Sequence, residues 1–292
     1  GRKVDITKLL NGIESQEKRE RENITFIQNQ TNINEQRNIQ QNTQINIYVN
    51  FFGDFHNIKN DTSMSEEERE QKLYDKVDEM DEEIKDINHY EKIIKKHHRL
   101  SFFEHLNRKS KTYLISAEFL LDELQKIEGI DYSPVILQYN RTIENELKLE
   151  LFNSFYSYFN NQSLKLEPLL QQDKYANSEN KVFVNFLRSK IGGIVSLGFM
   201  ATVLNNATKL KDSELLMVFY SFLEKKIALD FFYSDVLDKL KIGLKYRNDA
   251  AHPGVVYKLT DAEKCQSLTL DILDKLLKSY KRNMKNNVDN DL

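Results

Sequence analysis

Tyr246-Arg247-Asn248-Asp249-Ala250-Ala251-His252-Pro253-Gly254 is the stretch on which the reading of this chain turns. An apolar-periodic run from roughly Ser213 to Tyr246 leads into it, and a second from roughly Thr260 to Lys281 leads out, both with the spacing of amphipathic helices. Asn248 and His252 are four residues apart and share a helix face. Arg247 and His252 are separated by about 140° around an ideal helix, so a straight one would keep them apart. His252 precedes a proline, which biases it away from helical backbone, and Gly254 suits a helix stop. The first helix should therefore end near His252. A frayed end of that kind would let Arg247 and His252 converge on one ligand.

Composition agrees with a helical fold. The 292 residues include only 9 glycines and 3 prolines, which favours long helices over a turn-rich β architecture. The length leaves room for one large or two small domains with a sizeable core. Net charge is −3, so no global basic field announces nucleic acid, and any such contact must come from a local patch. The lone Cys265 excludes an internal disulfide and fits a reducing, cytoplasmic compartment. No apolar run approaches the roughly 20 residues of a membrane span. No signal peptide is legible. A start at Gly1 fits a tag remnant, a processed end or a piece of a longer protein.

Outward from the motif, four segments are expected. Residues 1–62 read as a polar arm or linker, with a short charged helix over 5–22 and an Asn/Gln-rich tract over 28–46. Within this arm, 44–52 alternates polar and apolar residues and reads as one strand. It is either part of a flexible linker or a strand that pairs with another chain or domain. Residues 63–106 read as an amphipathic helix and a connector, opened by Ser65 as N-cap before an acidic first turn. The cluster Lys95-Lys96-His97-His98-Arg99 within it reads as a solvated basic face, with an RNA-phosphate contact as the alternative, and adjacent histidines cannot face one metal. Residues 107–282 read as a helical bundle and 283–292 as a flexible tail. In the bundle, Ser133-Pro134 starts a helix that should reach about Phe159. Gly192, Gly193 and Gly198 are expected to permit close helix packing. Phe219, Tyr220, Phe222, Phe231, Phe232 and Tyr233 are expected in the core or a dimer interface.

The Arg247-to-His252 motif resembles that of the HEPN family of helical domains. Ribonuclease members of that family carry an arginine, four to six arbitrary residues and a histidine, commonly with a polar residue after the arginine, as Asn248 is here. Arg99 and His105 also fit the spacing but lie in a polar connector, whereas the motif proper ends one long helix and precedes another. A second likeness is Tyr139 to Leu147, which looks like an early HEPN helix and offers Arg141, Glu144 and Glu146 as further site residues. The resemblance covers about the last 175 residues. It implies an all-α, HEPN-like bundle, here preceded by the amphipathic helix and the polar arm.

It also implies a chemistry. HEPN ribonucleases cut RNA without metal or cofactor, by attack of the 2′-hydroxyl on the adjacent phosphate. A histidine can move the proton at neutral pH, and an arginine's donor fork matches the developing phosphorane charge. His252 and Arg247 take these roles, with Asn248 and Asp249 supporting. The family pairs two motifs across a homodimer. The expected function is a toxin or antiviral effector acting on RNA, tRNA included, and restrained by an inhibitor or sensor acting through the N-terminal region. Two other readings are a non-catalytic HEPN module that binds RNA, nucleotide or protein, and a plain helical scaffold. Exposed, convergent side chains would favour the nuclease. Buried Arg247 and His252 pointing apart would favour the scaffold.

Overall fold

The computed structural model of the chain describes residues 47–97, 103–162, 164–165, 167–169, 181–188, 196–209, 213–228 and 230–288. The fold is all-α, with no strand among the described residues. No described helix is long and apolar enough to cross a membrane. The charged helix expected over 5–22, the tract over 28–46, and Gly192 and Gly193 lie outside the described residues.

The chain divides into two compact units, 1–57 and 58–292. In the first, residues 47–57 are helical, which overturns the described part, 47–52, of the strand expected over 44–52. Tyr48, Phe51 and Phe55 are buried at helical spacing, and the rings of Phe51 and Phe55 lie 6.0 Å apart. Val49, which lies on the same side as Phe51 in an alternating strand, is 56 % exposed. Helical periodicity wins because it gathers three aromatic rings on one side.

The second unit begins inside the segment read as a linker and takes in the whole amphipathic stretch. That stretch does not stand apart from the bundle. Its first helix, α1 (Glu66–Glu79), opens on Ser65, whose hydroxyl accepts from the Glu68 N–H as expected of an N-cap. A 3₁₀ turn, Met80–Glu83, separates it from α2 (Ile87–His97). Then follow α3 (Arg108–Leu124) and α4 (Ser133–Leu147), which starts beside Pro134. α4 runs on through a π-helical turn, Lys148–Asn153, into α5 (Ser154–Asn161), so the helix expected to reach Phe159 is continuous but carries an extra residue. Ser154 donates to the carbonyl of Leu149, five residues back, the spacing of that wide turn.

The aromatic core lies beyond it. Phe152 and Phe155 pack with Phe183 of α6 (Lys181–Arg188) and Phe219 of α8 (Glu214–Lys226), and α7 (Leu197–Lys209) closes this layer. The run expected as one helix from 213 to 246 is broken into α8, α9 (Asp230–Tyr233) and α10 (Val236–Ala251). The break is at Ile227, fully buried on extended backbone. Phe231 and Phe232 are adjacent and both buried, which one straight amphipathic helix would not achieve. Tyr220 is partly buried against this core, whereas Tyr233 stays exposed, and their hydroxyls lie 3.1 Å apart. α11 (Leu259–Val288) completes the bundle and continues past 282, into the expected tail.

α4 is the central helix. It packs against α1, α3, α10 and α11. Two glycines set how α10 lies. A Cβ on Gly198 would meet Leu244 at 3.3 Å, and one on Gly243 would come 3.0 Å from Asn140 Oδ1 and 3.3 Å from Leu268. The backbone of α10 thus presses directly onto α4.

One buried lysine ties the turns at the end of α10. Lys59 donates to Asp131 Oδ2 and Ser133 Oγ, both at 2.7 Å, and to the carbonyl of Val255. Asp131 in turn accepts from the N–H of Tyr257 at 3.0 Å, and Tyr132 N–H donates to the Tyr257 carbonyl at 3.1 Å. Lys59 and Asp131 are shielded, with side chains 2 % and 16 % exposed. Removing one partner of such a pair leaves a buried charge. Lys59→Met should therefore destabilise the fold by about 3 kcal/mol, read as a lowered denaturant midpoint at unchanged slope. Lys59→Arg should recover only part of this, because the cavity fits an ammonium.

Candidate functional site

α10 stays helical through Ala251, and His252 is its C-cap on extended backbone, φ −84° and ψ 136°. The proline that follows imposes this. Gly254 takes φ +79°, a left-handed conformation that suits glycine, and its N–H donates to Asn60 Oδ1 at 3.1 Å. Lys59 holds the next carbonyl. The loop carrying His252 is thus anchored at consecutive residues, while the imidazole itself is exposed. Its Nδ1 lies 2.9 Å from the Pro253 carbonyl oxygen. A carbonyl can only accept, so in the neutral ring Nδ1 carries the proton and Nε2 is left as the basic atom.

Arg247 faces the other way. Its side chain is 15 % exposed and pairs through Nη2 with Glu70 of α1, itself 14 % exposed. Nη1 donates to Asn248 Oδ1 at 3.1 Å, and Nε is buried without a partner. Tyr74, one turn beyond Glu70, donates to the Glu70 carboxylate at 2.8 Å. Burial opposes the charge of Arg247, but Tyr74, Glu70 and Glu144 outweigh it and hold the guanidinium above its ordinary value. Glu144 is raised by burial, with Arg247 pulling the other way, and it accepts from the Leu197 N–H at 3.3 Å. Burial also raises Tyr74.

The expected site residues therefore divide. Arg247, Asn248 and Glu144 come together. Arg141 sits next to them but is engaged through both terminal nitrogens. It grips Asp78 with both terminal nitrogens, at 2.6 and 3.2 Å, donates to Gln138 and Tyr113, and stacks between the rings of Tyr74 and Tyr113 at 4.5 and 4.1 Å. It holds α1 to α4 rather than a ligand. Glu146 is corrected outright. It is fully buried and accepts from the N–H and side chain of Asn107, at 2.6 and 3.2 Å, so it anchors the start of α3. Asp249 turns to Tyr257, whose hydroxyl donates to it at 3.4 Å. The convergence of Arg247 and His252 at a frayed helix end is not realised within the chain, because the last turn of α10 does not fray. Of the decoy pair, His105 lies in a short 3₁₀ turn and Arg99 lies outside the described residues.

Sequence reading missed Glu70, Tyr74, Asp78 and Tyr113. The first three recur every fourth residue along α1, beside the apolar stripe of Leu73 and Val77, and that polar stripe was the available signal. Burial pushes the Cys265 thiol up to about 12, which withholds the thiolate a nucleophile would need. Among the described residues, no group of three or more His, Cys, Asp or Glu side chains is placed to hold a metal.

The raised Glu144 makes a prediction with a definite sign. Between the usual 4.5 and its higher folded value, the folded state binds the proton that the unfolded state has lost, so this group lowers stability as pH rises. Glu144→Gln removes that contribution. Its melting temperature should gain on the wild type as pH rises from 4.5 toward neutrality, and scans at several pH values check this. Comparison with protein-family models, with characterised proteins and with solved structures finds no match to the chain.

Proposed function

We propose that the chain is a metal-independent endoribonuclease of the HEPN type, acting as a toxin or antiviral defence effector. The observation that carries this reading is the state of His252. It is an exposed imidazole on an anchored loop, with its basic nitrogen free, one turn past Asn248 and a guanidinium-bearing helix end. In the proposed reaction Nε2 of His252 takes the proton of an RNA 2′-hydroxyl. The 2′-oxygen attacks the adjacent phosphorus, and the bond to the 5′-oxygen breaks. The products are a 2′,3′-cyclic phosphate and a 5′-hydroxyl, whose proton comes from a general acid. Arg247 supplies the cation for the phosphorane, with Asn248 orienting it.

The reading includes a homodimer with the motifs near its axis. Ile242 and Val256 support this. They are 49 % and 64 % exposed and lie on either side of the motif in the sequence, apolar surface of the kind a second copy would cover. A second reading, a non-catalytic HEPN module that binds RNA, nucleotide or protein, is favoured by one fact: Arg247 already has a carboxylate partner in Glu70.

Cleavage of total RNA and tRNA in EDTA separates the two. The wild type should cut, leaving cyclic-phosphate ends, and His252→Ala should cut at least about 100-fold more slowly. Cutting that survives the substitution removes His252 from the site. Binding without cutting selects the module. Sedimentation should show a dimer that Ile242→Asp with Val256→Asp dissociates, with cleavage lost in parallel.

A further inference from the structure

We infer that Glu70 stands in for phosphate at Arg247, so that α1 keeps the anion site latched until that carboxylate withdraws. The inference rests on the reading of Arg247 as the phosphate-binding residue. The guanidinium fork matches a carboxylate and a phosphate equally well, so the two compete for the same donors. Arg247 presents Nη2 to Glu70 and Nη1 to Asn248, and both members of the ion pair are about one-seventh exposed. An RNA phosphate arriving here would meet one cation and a resident carboxylate, with Glu144 beside them. Like charges shielded from water repel strongly, so phosphate and Glu70 cannot both occupy the site.

The latch is built to act as a unit. Tyr74 fixes the Glu70 carboxylate by its hydroxyl and lies over Arg141, which grips Asp78. Three successive turns of α1 are thereby tied to the two arginines. The helix is bounded by the 61–65 turn before it and the 3₁₀ turn Met80–Glu83 after it. The Nε of Arg247 is buried without a hydrogen-bond partner.

The test uses the full chain and a 2′-O-methyl oligoribonucleotide, which keeps its phosphates but cannot be cut. Glu70→Gln should bind it about tenfold more tightly, with a log–log salt slope steeper by about 0.7, the mark of one added phosphate contact. Glu67→Gln, an exposed change on the same helix with the same loss of charge, should gain less than about twofold. The gain should vanish in Glu70→Gln with Arg247→Gln. Glu70→Asp keeps the charge but shortens the reach, and it should gain in the same direction. It serves as the measurement if Glu70→Gln does not melt cooperatively. A Glu70 variant that binds no tighter than Glu67→Gln, or a gain that survives loss of Arg247, overturns the latch. Cleavable RNA run alongside keeps the two ideas apart. His252-dependent cutting without a binding gain leaves the nuclease standing and the latch refuted. An Arg247-dependent gain without cutting leaves the latch at an anion site and refutes the nuclease.

Discussion

The close crossing of α10 over α4 at Gly243 is the constraint on which the polar centre of this bundle depends. A side chain at 243 would come 3.0 Å from Asn140 Oδ1, so that side chain or the helix spacing would have to give by a few tenths of an ångström. One turn further along α4 stands Glu144, and one turn further along α10 stands Arg247. The crossing therefore delivers the guanidinium to the flank of α4, where α1 brings Glu70 and Tyr74. Helix periodicity does the rest, since residues four apart share a face. A close helix crossing thus accompanies the meeting of three charged side chains from distant parts of the chain away from bulk water.

The two arginines at this centre are handled differently, and the difference is informative. Burying a guanidinium costs several kcal/mol unless its donors are met. Arg141 meets that cost with a two-point grip on Asp78, two further acceptors and two flanking rings. Such an arrangement is a fastening, and replacing its partner should loosen α1. Arg247 has a carboxylate, an amide and a stranded Nε. It retains a donor with no internal use.

Much of the helical framework was legible because its signals are local. Ser65 caps α1, Pro134 starts α4, and Pro253 with Gly254 ends α10, each through the conformation of one or two residues. Periodicity fared less well where two patterns overlapped. Residues 44–52 alternate, but Tyr48, Phe51 and Phe55 also satisfy the helical repeat, and burying three rings outweighs the alternation. The breaks at Ile227 and after Tyr233 left no proline or glycine to read, being set by which phenylalanines the core could accept. The site was half legible for the same reason. Arg247, Asn248 and His252 sit within one short stretch, whereas Glu70 lies 177 positions away on a helix read only as amphipathic.

The same stretch that binds Arg247 inward turns His252 outward, and both follow from one spacing. Five residues on a regular helix carry a side chain about 140° around the axis. Since α10 is regular to Ala251, the guanidinium faces α4 and α1 while the imidazole leaves the helix end toward solvent. Within one chain the two do not share a hydrogen bond or an acceptor. Of the marks set for a plain scaffold, the burial of Arg247 and the divergence of the pair are met, whereas His252 stays exposed on a loop fastened by Lys59, Asn60 and Asp131. Joint action on one phosphodiester then requires an RNA that wraps the end of α10 or a second copy that brings its own motif to the same surface. The geometry of a single chain thus gives the homodimer in the proposed function a physical purpose, because it would supply the convergence that the helix denies.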